Sequence, residues 1–451
     1  PYANGPLHLG HLAGCYLSAD IFARYHRAKG NEVLMVSGSD SHDTPITVRA
    51  EAEGVTPEDI LNRYHPQFLD SWNKLGITFD LFTTTHTENH QEIVHTLFKD
   101  FLEKGYLYEQ SMLLAYCADC QRFLPDRYVN GTCPHCGFER ARGDQCDNCG
   151  RTLDPQDLVH PRCVISDSEP EFRESEHYFL KLSAFEQPLL EWVNKQTHWR
   201  PNVLNFTRRF LEGGLKDRAI TRDLTWGVPI PAFYVADGEP LLDARIVRKT
   251  ADLIEQHGSN VWFERDTAEL WADVKPDDWT SEAPTAKSTD TLDVWIDSGS
   301  SSRAVLMQRE ELACDGVADI YFEGSDQHRG WFHSSLLESV GTRDQAPYQA
   351  VLTHGFVLDV KGRKMSKSLG NVISPQDIIE KYGADVFRLW VSLSDYTEDL
   401  RIGNETMQQL SDSYRRIRNT FRFLLGNLEG FEKKEKIEFS KMLKLEKWIL
   451  H

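Results

Sequence analysis

Seven of the nine cysteines fall between residues 117 and 163, in a stretch rich in Gly, Asp and Arg and too poor in apolar periodicity to build much of a core. Something other than apolar burial must hold it. Cys133-x2-Cys136 and Cys146-x2-Cys149 form two knuckles nine residues apart, set among small turn residues such as Pro134, Gly137, Asn148 and Gly150. That spacing suits four thiolates around one Zn2+, a closed structural site with no open position for a reacting water. Cys117, Cys120 and Cys163 suggest a second site, but three residues beyond Cys163 stands Ser166, a poor zinc ligand. The second site is then empty, three-liganded or completed by a nearby histidine such as His160. Disulfides are the competing reading, and the absence of a signal-peptide pattern argues against them. Cys15 and Cys314 read as small buried hydrophobes.

On either side of this stretch the grammar is α/β. Leu12, Cys15, Tyr16, Ala19, Phe22 and Ala23 recur at helical spacing, Gly30 stops the helix, and Val33 to Val36 reads as a strand. Strand-like runs at 318–322 and 350–352 alternate with a helical stretch at 331–340, the pattern of a parallel sheet. After residue 400 the pattern is helical, with Leu410, Tyr414, Ile417, Phe421, Leu424, Leu425 and Leu428 on one face. The fold predicted is α/β: a Rossmann-type parallel-sheet domain split by a zinc-knuckle insertion and followed by the start of an α-helical bundle. Its divisions are 1–111 and 213–360 for the two halves of the sheet domain, 112–175 for the knuckles and 176–212 for a helical part. A mobile-loop region follows at 361–403, and the bundle occupies 404–451. Pro1 opens inside an apparent strand-to-helix turn and the last helix ends uncapped, so truncation is expected at both ends.

The formal charge of −19 excludes a protein that coats nucleic acid non-specifically, which needs a basic surface. Arg415, Arg416, Arg418 and Arg422 are equally readable as phosphate contacts or as a solvated helix face. No apolar run approaches the roughly 18 to 20 residues of a bilayer span, so no membrane partner is expected and the reading is cytoplasmic.

No G-x-x-x-x-G-K-[ST] motif is present to cradle a triphosphate. Two distant segments offer another solution. His8-Leu9-Gly10-His11 opens the first helix, where the macrodipole and free N–H groups favour anions and the rings can donate to a phosphoryl group. Gly10 leaves room for a flat base. Lys361, Lys364 and Lys367, the last two within Lys364-Met365-Ser366-Lys367-Ser368, can close over the β- and γ-phosphates. Together the two segments resemble the paired signatures of class I aminoacyl-tRNA synthetases. The resemblance implies an enzyme that activates an amino acid with ATP and Mg2+ and passes it to tRNA, with Zn2+ in the knuckles. His8, His11, Lys364 and Lys367 would be catalytic; Gly10, Glu323, Gly324, Asp326, His354 and Ser366 would bind ATP or adenylate. Asp40 would hold the substrate ammonium.

The resemblance covers nearly the whole chain but is not uniform. Residues 1 to about 231 are similar to methionyl-tRNA synthetases through Pro1-Tyr2-Ala3-Asn4-Gly5, Gly38-Ser39-Asp40, the knuckles and the segment 214–227. From about 232 onward, Leu292 to Gly299, Glu323 to Phe332 and Leu352 to Phe356 resemble isoleucyl-tRNA synthetases. This implies a two-parent chain with its seam at 226–231, and a pocket walled by Trp295, Gln327 and Trp331 from one side and Tyr2 and Asp40 from the other. The amino acid is then methionine or isoleucine. Non-functional hybrids and non-catalytic tRNA-binding relatives are the alternatives. Halves that did not evolve together are expected to leave cavities or clashes, each costing about 1 to 3 kcal/mol.

Overall fold

The computed structural model describes residues 1–450 except 43, 144–145, 147, 150, 152, 225, 239, 242, 258–259, 309–314, 364 and 366–370, and the side chains of 202, 244, 255, 260, 326 and 329 also lie outside it. The chain enters a wide helical turn, Gly10–Tyr16, that runs into α1, Leu17–Ala28. Leu12, Cys15, Tyr16 and Ala23 are buried, as their spacing predicts, Ala19 is half-buried, and Leu9, Ala13 and Leu17 are buried with them. Phe22 is instead on the solvent side, against His26. Gly30, at φ 86°, supplies the left-handed stop that a side chain would resist. The next strand, β1, is Val36–Ser39, so it starts where the run 33–36 ends.

β1 pairs in parallel with β2, Leu81–Thr84, through a crossover that contains α2, Pro57–Leu75. α2 begins with Pro57 after a Thr56–Asp59 capping box and ends at Gly76, φ 65°. α3, Glu88–Glu103, then leads into the insertion. There β3, Leu107–Cys117, pairs antiparallel with β4, Glu171–Leu180, along their whole length. The divisions at 112 and 176 therefore fall inside strands. The far end carries the knuckles, with Cys117, Leu124, Tyr128, Cys133, Cys146, Leu158 and Cys163 in one small cluster. α4, Pro201–Glu212, follows as part of a helical pair with Glu186–Asn194.

Between the insertion and the second half stands a module the sequence reading passed over. Short strands at Phe233–Tyr234, Pro240–Leu241 and Ala286–Lys287 form an antiparallel sheet, packed with helices at Ala244–His257 and Thr267–Val274. Phe233, Ile254, Trp262, Leu270 and Trp271 are its core. α5, Val294–Gly299, comes next. β5, Ala318–Gly324, and β6, Tyr348–His354, then form a second parallel pair joined by α6, Trp331–Arg343. A third parallel pair joins β7, Val357–Asp359, to β8, Leu400–Ile402, across α7, Ala384–Leu393. The long α8, Asn404–Asn427, leaves most of its apolar face exposed, from Ile417 to Leu425.

Both large cores draw on both halves. Ile93, Phe98 and Phe101 pack with Ile296, Phe332 and Tyr348, and Val228 and Ile230 of the supposed seam are buried among them. Leu12 and Phe68 likewise share a core with Ile378, Phe387 and Trp390. At the supposed seam, Trp226, Val228 and Ile230 are thus all buried in these two cores.

Candidate active site

The parallel strands bring their carboxyl ends together, the edge at which open α/β sheets bind ligands. Asp40 follows β1, His86 follows β2 by two residues, and Glu323 and His354 close β5 and β6. Tyr2 forms a parallel bridge with Asp40, whose N–H donates to Pro1 O at 2.9 Å. Gly324 lies opposite His354 in the β5–β6 register. The Cys15 thiol donates to Phe322 O at 3.2 Å and so ties the opening helical turn to β5.

His8 and His11 stack with ring centroids 3.7 Å apart. The His11 N–H donates to His8 Nδ1 at 3.4 Å, and the His8 N–H to His11 Nδ1 at 3.3 Å. With Nδ1 accepting, a neutral ring carries its proton on Nε2, a donor suited to an anionic oxygen. Burial, reinforced by His8 and His354, holds His11 well below the usual histidine range, so it is neutral at pH 7. A Cβ on Gly10 would come 2.9 Å from the His8 ring. The His354 ring occupies the space a side chain on Gly14 would need, at 2.3 Å from that Cβ position, and its Nδ1 donates to Gly355 O at 2.8 Å. Gly14 is thus a site residue the sequence reading missed; its signal was a glycine inside a helix.

The expected pocket walls come together in part. Trp295 lies against Gly330, where a Cβ would meet its ring at 2.5 Å. Trp331 stacks flat on Tyr321 at 4.2 Å and donates Nε1–H to Ser298 O and Ser301 Oγ, both at 3.1 Å. Gln327 Oε1 accepts from the Trp331 N–H at 3.1 Å, capping the start of α6. Glu323 Oε2 accepts from the Gly324 N–H at 3.2 Å. Lys364, Ser366 and Lys367 lie outside the described residues, as does Cys314, and so does the Asp326 side chain. The base of the lysine loop is described: Asp359 accepts from the N–H groups of Lys361 and Arg363, both at 2.9 Å, and from Asn371 Nδ2 at 2.9 Å.

Beneath Asp40 runs a buried polar chain that no motif announced. His42 Nδ1 lies 2.6 Å from Asp297 Oδ2, the two side chains 2% and 1% exposed. His42 Nε2 is 2.9 Å from His86 Nδ1, and His86 stacks on Trp226, which donates to Ser41 O at 2.8 Å. His90 Nε2 donates to Asp297 O at 2.8 Å and lies 3.0 Å from Asp297 Oδ1. Burial opposes ionisation of Asp297, but the His42 charge and the bonds from His42 and His90 hold it well below the usual carboxylate range. Burial, then His42, lowers His86 to about 4. Against the end of α5, burial pushes the Glu338 carboxyl well up, so it is protonated at pH 7. It fits only because residue 299 is glycine: a Cβ there would lie 2.1 Å from Oε1.

The knuckle sulfurs fit a tetrahedral metal. Zn–S bonds of about 2.3 Å place tetrahedral sulfurs about 3.8 Å apart. Cys133 and Cys149 are separated by 3.9 Å, Cys136 and Cys146 by 3.6 Å, and all four sulfurs lie within 4.8 Å of one another. In the second cluster Cys117, Cys120 and Cys163 converge similarly, and Ser166 Oγ and Ser168 Oγ stand 3.2 and 3.3 Å from Cys117 Sγ. The fourth side is therefore serine hydroxyl, and among the described residues His160 is not part of the cluster.

Residues 1–240 match the family described as tRNA synthetases class I (M), and residues 264–412 match tRNA synthetases class I (C) catalytic domain. The chain belongs to the class I tRNA synthetases. It is 45% identical over 395 residues to the methionine–tRNA ligase of Dehalococcoides mccartyi strain CBDB1, covering 87% of this chain and 63% of that protein. Against the Thermomicrobium roseum methionine–tRNA ligase it is 60% identical over 231 residues, 51% of this chain and 40% of the relative. The chain thus spans less than two thirds of the length of these relatives. Mycobacterium tuberculosis methionyl-tRNA synthetase bound by methionyl-adenylate shares the fold, with a TM-score of 0.62 at 20% identity over 90% of this chain and 66% of that one. So does the Agrobacterium radiobacter K84 LeuRS–tRNA–LeuAMS complex, with a TM-score of 0.71 at 17% identity over 95% and 72%. The match to the Dehalococcoides mccartyi ligase, over 395 residues, extends past residue 231, and none of these relatives or family models is isoleucyl. The isoleucyl second half and the two-parent chain are therefore not upheld. The motifs at 292–299 and 323–332 were too short to separate members of one class. Among the described residues no helix is long and apolar enough to cross a membrane.

Proposed function

We propose that the chain is the catalytic part of a methionine–tRNA ligase, forming methionyl-adenylate from methionine and ATP and transferring the methionyl group to tRNA. The observation that carries this reading is the convergence of His8, His11 and Asp40, from the start of the chain, with Glu323 and His354, from its last third, on the carboxyl edge of the parallel strands. The continuous similarity to methionine–tRNA ligases supports methionine as the amino acid.

In this reading the ammonium group is received at Asp40, beside Tyr2, and the side chain extends toward Trp295. A carboxylate oxygen of methionine attacks the α-phosphorus of ATP; the bond to the bridging oxygen breaks and pyrophosphate leaves with the electron pair. His11, neutral and carrying its proton on Nε2, donates to the developing negative charge without first losing a proton. The macrodipole of the Gly10–Tyr16 turn and α1 adds to this at the same end. Lys364 and Lys367 would neutralise the pyrophosphate, on a loop whose base Asp359 fixes, and Mg2+ would enter with ATP. A terminal ribose hydroxyl of tRNA then attacks the methionyl carbonyl and AMP leaves. Cys133, Cys136, Cys146 and Cys149 would hold Zn2+ as a closed structural centre.

The test is amino-acid-dependent ATP–pyrophosphate exchange, with methionine, isoleucine, valine and no amino acid in parallel. Exchange with methionine alone is expected. Exchange driven by isoleucine, or by none from a folded zinc-loaded chain, would overturn the reading.

A further inference from the structure

Beside the strand edge lies an exposed aromatic surface that the reaction as derived does not use. On α4, Phe206 and Phe210 stand one helical turn apart and remain 44% and 41% exposed. They are not loose. Phe206 packs on His328 at 5.0 Å, and Phe210 stacks on His333 at 4.3 Å and 28°. His333 is itself 8% exposed, and neither of its ring nitrogens has a hydrogen-bond partner among the described residues. Burial, then His328, pushes it down to about 3, so at neutral pH it is an uncharged flat ring beneath a flat ring. Two phenyl faces are thus backed by two imidazoles and presented to solvent, where burial would otherwise be favoured.

Charge and position narrow the occupant. Asn205 and Arg209 share the exposed stripe with the two rings, and Arg208, held by Asn194, and Arg200 flank it against the acids Glu212 and Asp395, the latter facing Arg200, in a chain of net charge −19. A local excess of guanidinium beside exposed rings fits bases on a phosphate backbone and disfavours an apolar protein surface that carries few acids. His328 belongs to the turn Ser325–Arg329 that leaves β5 directly after Glu323 and Gly324. α4 is tied to the same edge through Arg200, which donates to Tyr396 Oη at 3.0 Å, and Tyr396 O accepts from the Gly355 N–H directly after β6 at 2.9 Å; Trp199 Nε1 anchors the start of α4 to Gln349 O, near the amino end of β6, at 2.8 Å.

We infer that Phe206 and Phe210, backed by His328 and His333, form a stacking platform for the unpaired bases at the 3′ end of an RNA, leading that end to the strand edge where the adenylate would form. The inference rests on the proposed function for its direction of travel, but the platform itself rests on the rings. Stacking a base on a side-chain ring is sequence-tolerant, so the platform would order a single-stranded end without reading it.

The test uses a short single-stranded RNA with 2-aminopurine as its 3′-terminal base, and the same strand closed into a blunt duplex. Quenching of the single strand is expected, with affinity falling on the order of tenfold or more for Phe206→Ala or Phe210→Ala and recovering in Phe206→Tyr. Arg209→Gln is expected to weaken binding and flatten its salt dependence. Equal affinity for the blunt duplex, or single-strand binding indifferent to both alanine variants, would overturn the platform and leave the face to a protein partner. Methionine-dependent exchange on the unaltered chain is measured separately. Exchange with ring-independent RNA binding sinks the platform alone, whereas ring-dependent binding without exchange sinks the enzyme reading alone.

Discussion

The chemistry proposed for this chain narrows to single atoms on neutral rings. His11 must be uncharged to accept the His8 N–H at Nδ1 while donating from Nε2, and its burial keeps it so well below neutral pH. Removing one such donor from a pre-organised site typically lowers kcat by about 10² to 10³. His11→Ala is therefore expected to slow methionine-dependent exchange by that order with a smaller change in KM, and an equal loss in KM alone would mean that it only binds. Buried neutral histidines also set the acid limit. His95 is fully buried, donates to Pro229 O at 2.8 Å and is lowered by burial to about 4. In the unfolded chain it takes a proton near 6.5. The folded state binds fewer protons between these values, so stability is complete above about pH 6.5 and is lost as pH falls toward 4. A shift of this size corresponds to about 3 kcal/mol. His86 and His333 act in the same direction. The Tm should drop through this window, and His95→Gln, which keeps a donor but does not titrate, should drop less steeply.

Within the knuckle element, the sulfur distances forecast different behaviour at two cysteine clusters of similar composition. The four-cysteine set closes a tetrahedron, while the three-cysteine set meets Ser166 and Ser168 on its fourth side. One tightly held zinc per chain is expected by elemental analysis after dialysis, rising to two in Ser166→Cys. Two zincs in the unaltered chain would show that a serine or water completes the second site. Chelation should raise hydrogen exchange across Leu124 to Cys163 before it reaches β5 and β6, because the small knuckle core has little apolar burial to fall back on. These elements were legible in the sequence because their signals are local: x2 spacing for the knuckles, period 3.6 for α1 and α6, apolar runs for β5 and β6. The module at 233–287 was not, since its strands are two residues long and its helices were read as part of a continuous sheet domain. Nor were the roles of Gly14 and Gly299, which exist only because His354 and Glu338 arrive from hundreds and tens of residues away.

At the scale of the whole molecule, the question is how two lengths of chain separated by an insertion behave as one body. The sequence suggested two parents; the packing shows two large cores, each shared across residue 231. The sharpest link is the His42–Asp297 pair, 255 residues apart and almost wholly buried. It ties the loop bearing Asp40 to α5, which bears Trp295, so the proposed ammonium site and the proposed pocket wall are held by one contact. Removing one partner of a buried pair typically costs about 3 to 5 kcal/mol, against a total stability of about 5 to 15. Asp297→Ala is therefore expected to lose a large part of the stability. If the halves are one cooperative body, urea transitions read by tryptophan fluorescence and by protection of α1 and β6 amides should shift together. Separate midpoints for the two halves would show that each folds on its own account, and that the contact aligns two units rather than joining one. In Asp297→Asn the shape is kept and the charge removed. This milder change should raise KM for methionine more than for ATP, because the group it releases orients Asp40 and Trp295 and touches neither phosphate nor ribose.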